Sequence, residues 1–182
     1  MTITATENPS ATRFARIMAH MTLAGAIALP CIAAVIWLFW DDLAPLAAGK
    51  LGAGFDIENL SPLSRLAGFA VALAGAGIQV VGLLGLRRTF QEGAAGRPLS
   101  ARSVLGFRRF ARVAVIMVFV GIVQNTAYIV IFSISDPSTQ GQLSINFGSD
   151  EIRALFMALL LLFVARVFAA GKRAADENAA FL

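Results

Sequence analysis

Four long apolar stretches constrain the fold of this chain more than any other feature of its sequence. They cover residues 17–40, 66–86, 113–135 and 154–171, and only the last contains a charged side chain, Arg166. A helix of roughly 20 residues, rising about 1.5 Å per residue, crosses the hydrocarbon core of a bilayer. The sequence therefore predicts an all-α polytopic membrane protein with four transmembrane helices, forming one domain over residues 1–182.

Composition excludes several classes of protein and of site. Apolar residues make up 58% of the chain and charged residues 14%, whereas soluble domains have about 45–50% and about 25%. The chain has a single Cys and a single His, which excludes a metal site built from several Cys residues and a site built from a pair of His residues. No paired intramembrane carboxylate, nucleophile triad or phosphate-binding glycine loop is present. We therefore predict a protein that is not an enzyme, with no catalytic residue, metal or cofactor.

The distribution of Lys and Arg predicts the orientation of the spans. Twelve basic residues flank one side of the predicted membrane, against Lys50, Arg65 and Arg153 on the other. The twelve are Arg13, Arg16, Arg87, Arg88, Arg97, Arg102, Arg108, Arg109, Arg112, Arg166, Lys172 and Arg173. Because cytoplasmic loops carry the basic excess, both termini and the loop 87–112 are predicted to be cytoplasmic. Residues 41–65 and 136–153 are then predicted to form the outer loops.

The loop 87–112 is the most informative polar segment. Ser100 is a plausible N-cap for a short amphipathic cytoplasmic helix running into the third span, with Val104 and Phe107 on its apolar side. Such a helix is expected to lie in the interface with its arginines on anionic headgroups, or to dock an acidic cytoplasmic partner. The arginines predicted to bind lipid or a partner are Arg87, Arg88, Arg102, Arg108, Arg109, Arg112 and Arg166. No nucleic-acid-binding motif accompanies them, so direct binding of nucleic acid is not expected.

Arg166 has two interpretations. It lies about 7–8 Å inside the predicted end of the fourth span at Gly171, so its side chain can reach the cytoplasmic surface. Alternatively, it is a buried cation bound to an anionic lipid, a carbonyl oxygen, Gln79 or Asn125.

Polar side chains near the middle of the spans form a second candidate site. Gln124 and Asn125 lie at the centre of the third span, with Tyr128 one turn further and Gln79 at a similar depth in the second span. One interpretation is that these side chains form hydrogen bonds between helices, each of which contributes about 0.6 kcal/mol to stability on average. The alternative is that the four side chains bind a small molecule.

Two further patterns concern packing. Small residues in the second span, including Gly68, Gly75 and Gly82, let a neighbouring helix approach closely, either within the bundle or across a homo-oligomer interface. Trp37 and Trp40, at the outer end of the first span, are predicted to be interfacial anchors.

Three short motifs resemble a known family. They are LRRTF at 86–90, GRPLS at 96–100 and the C-terminal segment 166–178. Together they resemble the bacterial membrane family called domain of unknown function 2975, from the second span onward. Members of that family often have an acidic residue where Arg166 stands. The resemblance implies a four-span protein without assigned enzymatic activity. It also implies an association with a small helix-turn-helix regulator.

Three functions remain open at this point. The first is a sensor or docking partner that recruits or restrains a cytoplasmic helix-turn-helix regulator at the membrane. The second is an accessory subunit of a larger respiratory or photosynthetic membrane complex, which suits small, glycine-rich spans. The third is a small-molecule or lipid binder or transporter that uses Gln79, Gln124, Asn125 and Tyr128.

Overall fold

The computed structural model describes residues 9–43, 60–135 and 148–180, and these ranges contain helices and no strand. The helices are α1 (Pro9–Leu38), α2 (Pro62–Ala94), α3 (Ala101–Ser135) and α4 (Ser149–Ala180). By length and apolar composition, each of the four can cross a membrane. The predicted all-α fold with four apolar helices is therefore confirmed. Most of the two predicted outer loops lies outside the described residues.

The helices extend well beyond the four apolar stretches, mainly at one end of the molecule. Most of the predicted loop 87–112 is helical, and only residues 95–100 separate α2 from α3. Gly96 permits the sharp turn because its φ is 71°, a left-handed conformation that favours glycine. The Ser100 hydroxyl accepts a hydrogen bond from the Ser103 N–H at 3.1 Å, which confirms Ser100 as the N-cap of α3.

Each helix packs against its neighbours in the sequence: α1 against α2, α2 against α3, and α3 against α4. Within the described ranges, the backbone of α4 approaches α3 alone. Ala15 lies beside Gly93, and Phe107 contacts Phe168. These contacts bring the start of α1, the turn between α2 and α3, and the last third of α4 to the same end of the bundle, which we call the basic end.

Glycines allow α2 and α3 to meet closely near the basic end. A Cβ atom on Gly85 would lie 2.8 Å from the Gly106 carbonyl oxygen, and one on Gly106 would lie 2.5 Å from the Gly85 oxygen. Further along α2, Gly82 faces Val113, and Gly75 faces the Gln124 amide. Packing inside the bundle therefore uses these glycines, since any side chain there would push the two helices apart.

Aromatic side chains form the core at the opposite end. Trp37 stacks on Trp40 with ring centroids 4.5 Å apart and on Tyr128 at 6.1 Å. Phe132 contacts both Trp40 and Tyr128, and Leu60 completes this aromatic cluster. Trp40 has no exposed surface and Trp37 is only 7% exposed. The prediction that these tryptophans anchor the protein in the membrane interface is therefore wrong, because their rings pack against α3 instead.

Candidate functional site

Five of the six predicted arginines on α2 and α3 are exposed, and the sixth, Arg87, is half-buried. Four ion pairs occur within the described ranges: Arg97–Glu92 at 3.3 Å, Arg65–Asp41, Arg153–Asp150 at 3.6 Å and Lys172–Asp176 at 2.6 Å. None of them involves Arg87, Arg88, Arg102, Arg108, Arg109 or Arg112. These six positive charges therefore have no carboxylate partner in the part of the chain that is described.

A cleft of about 600 Å³ between α2 and α3 gathers most of these arginines. The residues lining this α2–α3 cleft are Arg88, Gln91, Glu92, Arg102, Leu105, Gly106, Arg108, Arg109 and Arg112. Glu92, the acidic residue among them, is already engaged by Arg97. Because opposite charge favours binding and like charge disfavours it, the cleft is suited to an anionic occupant.

The walls of the α2–α3 cleft are held in place by a hydrogen bond and by close packing of the two helices. The Thr89 hydroxyl donates a hydrogen bond to the Ser103 carbonyl oxygen at 2.9 Å, which joins α2 to α3. Ser103 and Gly106 are buried where the two helices meet. The arginines thus extend from a firmly packed helix pair, which lowers the entropy lost when they bind a partner.

The short amphipathic helix predicted before the third span is the first part of α3. Residues 101–135 form one helix without interruption, so this segment is not a separate element. Val104 and Ala111 on its apolar side are buried, while Arg102 and Arg109 are exposed. Val104 and Ala111 thus pack within the bundle, and the placement of this segment in the membrane interface stays a prediction.

The predicted polar cluster in mid-membrane is not assembled as one site. Gln124 lies over Gly75, and its amide donates a hydrogen bond to the Val71 carbonyl oxygen at 2.8 Å. Tyr128 belongs to the aromatic cluster. Gln79 is exposed and Asn125 is half-buried, and neither makes a hydrogen bond within the described ranges. Gln124 therefore serves helix packing, as the interhelical interpretation expects.

An apolar groove of about 520 Å³ lies beside Gln124, between α2 and α3. Its lining includes Ile78, Phe119 and Val123, with Gln124 as the polar residue among apolar ones. Since the Gln124 amide donates to Val71, this groove suits a hydrocarbon chain better than a polar solute.

Arg166 is exposed on α4, and the helix does not end near it. We expected the fourth helix to end at Gly171, whereas α4 continues to Ala180 and carries the Lys172–Asp176 ion pair on its extension. Arg166 therefore belongs to a helix that projects about 14 Å past Gly171. No hydrogen bond joins it to Gln79 or Asn125 within the described ranges.

An ion pair at the aromatic end was missed by sequence reasoning. Both Arg65 terminal nitrogens donate to the Asp41 carboxylate, and Arg65 Nε donates to the Leu60 carbonyl oxygen at 3.2 Å. The hydrogen bonds from Arg65 hold the pKa of Asp41 below its usual value of 3.8. The two residues are 24 positions apart, so no local spacing pattern indicates their contact.

Comparison with known protein-family models, characterised proteins and solved structures finds no match. The resemblance to the family of domain of unknown function 2975 therefore stays a prediction. Among the described residues, no group of three or more His, Cys, Asp or Glu side chains is placed to hold a metal ion.

Proposed function

We propose that this chain is a non-enzymatic protein of the bacterial inner membrane that docks an acidic cytoplasmic protein. In this proposal both termini and the basic end face the cytoplasm, as the excess of Lys and Arg there predicts. The α2–α3 cleft is the docking surface. The observation that carries the proposal is a set of six arginines on α2 and α3 that have no carboxylate partner among the described residues.

The geometry favours a protein partner in this cleft because of its shape and charge. Arginine binds carboxylates through two parallel hydrogen bonds, and several such contacts specify an acidic segment. A cleft of about 600 Å³ admits a few side chains of a partner rather than a whole domain. We therefore infer that an exposed acidic segment of the partner inserts between α2 and α3.

The partner we propose is a helix-turn-helix regulator, in keeping with the family resemblance from the second span onward. Docking would hold the regulator at the membrane, either recruiting it or keeping it from DNA. The chain itself contributes arginine side chains on a rigid support and no chemical step.

The test is purification of the intact protein from its native membranes in mild detergent, with mass spectrometry of the proteins that remain bound. The double variant R88Q/R102Q removes two arginines of the cleft, both exposed. The control R13Q/R16Q removes two exposed arginines at the same end, on α1 and outside the cleft. Loss of two ion pairs predicts about tenfold less bound partner for the first variant and little change for the control.

Recovery of a stoichiometric acidic DNA-binding protein that R88Q/R102Q releases supports the proposal. Equal loss from both variants would mean that net charge alone attracts the protein. Stable migration within a large membrane complex, unchanged by either variant, would identify the chain as an accessory subunit. Either of the last two results overturns the docking function.

A further inference from the structure

A second basic groove lies on the other side of α3, against α4. It has a volume of about 600 Å³ and is separate from the α2–α3 cleft, although Arg108 and Arg112 border both. Its lining residues are Arg108, Arg112, Leu162, Ala165, Arg166, Ala169, Ala170 and Arg173. Four arginines and four apolar residues thus line this α3–α4 groove, with no carboxylate among the described residues of its lining.

Helical periodicity explains why the four arginines converge. Arg108 and Arg112 are four residues apart on α3, and Arg166 and Arg173 are seven apart on α4, so each pair shares one helix face. Ala169 and Ala170 lie between the α4 arginines, and Ala165 directly precedes Arg166. These short side chains leave room between the helices, and the guanidinium groups surround that room.

The depth of these arginines matches the boundary between headgroups and hydrocarbon. Arg166 lies within the predicted fourth span and Arg173 just beyond its end, about 10 Å apart along the helix axis. The headgroup layer on each side of a bilayer is roughly 5–8 Å thick. The α4 arginines therefore bracket the level at which phospholipid phosphates lie.

The same two helices also border a separate apolar hollow nearer the middle of the predicted spans. A hollow of about 230 Å³ between α3 and α4 is lined by Ala114, Met117, Val118, Ala154, Met157, Ala158 and Leu161. Near the basic end, Phe107 of α3 and Phe168 of α4 meet edge to face at 6.0 Å. The α3–α4 pair therefore has a cationic groove near the basic end and a separate apolar hollow further along the helices.

We infer that the α3–α4 groove binds one anionic phospholipid, with its phosphate among the four arginines. Guanidinium groups bind phosphate oxygens through paired hydrogen bonds, and basic pockets between transmembrane helices bind such headgroups. Four positive charges are matched better by a lipid with two phosphates, such as diphosphatidylglycerol, than by one with a single phosphate. This inference does not rest on the proposed docking function.

The test uses the intact protein in nanodiscs or detergent, with lipid retention measured by native mass spectrometry. The probes are diphosphatidylglycerol, phosphatidylglycerol and phosphatidylcholine. The variant R166Q/R173Q alters two exposed arginines that belong to the α3–α4 groove and not to the α2–α3 cleft. R88Q/R102Q is the matched control, since it removes the same charge at the same end.

We expect the wild-type protein to retain one diphosphatidylglycerol molecule in preference to phosphatidylcholine. R166Q/R173Q is expected to weaken this retention about 10- to 30-fold, because each interfacial arginine contributes roughly 1 kcal/mol to binding anionic lipid. R88Q/R102Q should retain the lipid as the wild type does. Circular dichroism and size-exclusion chromatography check that both variants fold.

Three results would overturn the inference. Equal retention of phosphatidylcholine and diphosphatidylglycerol by the wild type would show that the groove does not select anions. Equal loss in both double variants would show a general charge effect. Displacement of the lipid by millimolar inorganic phosphate or glycerol 3-phosphate would identify a site for a soluble anion. Failure here leaves the docking function intact, since that function uses Arg88 and Arg102.

Discussion

The helices pack in opposite ways at the two ends of this molecule. At the basic end, backbones meet at Gly85 and Gly106 while the arginines stay exposed. At the other end, large aromatic rings fill the space between helices, and Trp40 has no exposed surface. The basic end thus leaves its charged side chains available for binding, whereas the aromatic end uses its large side chains for packing.

Trp40→Ala should cause the largest loss of stability, because it empties the centre of the aromatic cluster. Truncating a buried Trp or Phe to Ala typically costs about 3–5 kcal/mol, and the contacts with Trp37 and Phe132 are lost as well. Phe39→Ala is the control, since Phe39 is exposed at the same end. Unfolding in detergent by denaturant titration measures the difference. Similar losses for both variants would show that the cluster is not the core of that end.

Gly85→Leu should destabilise the basic end by about 1–3 kcal/mol, the usual cost of forcing extra atoms into a packed interface. Its first side-chain atom would lie 2.8 Å from the Gly106 carbonyl oxygen. A Cβ atom on Gly77, on the same helix, meets no atom of the described residues within 4 Å, so Gly77→Leu should leave stability unchanged or slightly raised. Thermal unfolding in detergent distinguishes the two. A tolerated Gly85→Leu would mean that the close crossing is not needed.

Asp41→Asn should have the smallest effect on stability of the three variants, and this effect should depend on pH. The folded carboxyl has a pKa below 3.8 because of its hydrogen bonds from Arg65. Its contribution to stability is therefore present above pH 3.8 and is lost as the pH falls through the lower folded value. The difference in the free energy of unfolding between the wild type and Asp41→Asn should therefore become smaller as the pH falls. Asp42→Asn removes a neighbouring exposed charge that makes no ion pair within the described ranges, and it is the control for net charge.

Much of the fold could be predicted from local patterns. The four apolar helices, the N-cap at Ser100 and the exposed arginines on the first turns of α3 all follow from spacing and composition. The prediction for the tryptophans was wrong, because an aromatic residue near a span end has the same sequence signature whether it faces lipid or a neighbouring helix. The expected helix end at Gly171 was wrong as well, since apolar composition stops there while the helix continues.

The candidate sites were less predictable than the fold. Arg173 was not among the predicted binding residues, although its spacing of seven from Arg166 placed both on one face of α4. What no spacing revealed is that this face lies against Arg108 and Arg112 of α3. Gln79 and Gln124 have similar depths in sequence, yet only Gln124 bonds to the neighbouring helix.

The sequence by itself determined that four helices can cross a membrane and that their basic flanks are unequal, because length, apolarity and charge are properties of single segments. The tertiary structure decided which faces meet, and so which side chains pack and which remain available to a ligand. Lipid is as apolar as leucine, so hydrophobicity does not tell an inward face from an outward one. Close steric fit settles that choice, as the Gly85–Gly106 crossing shows.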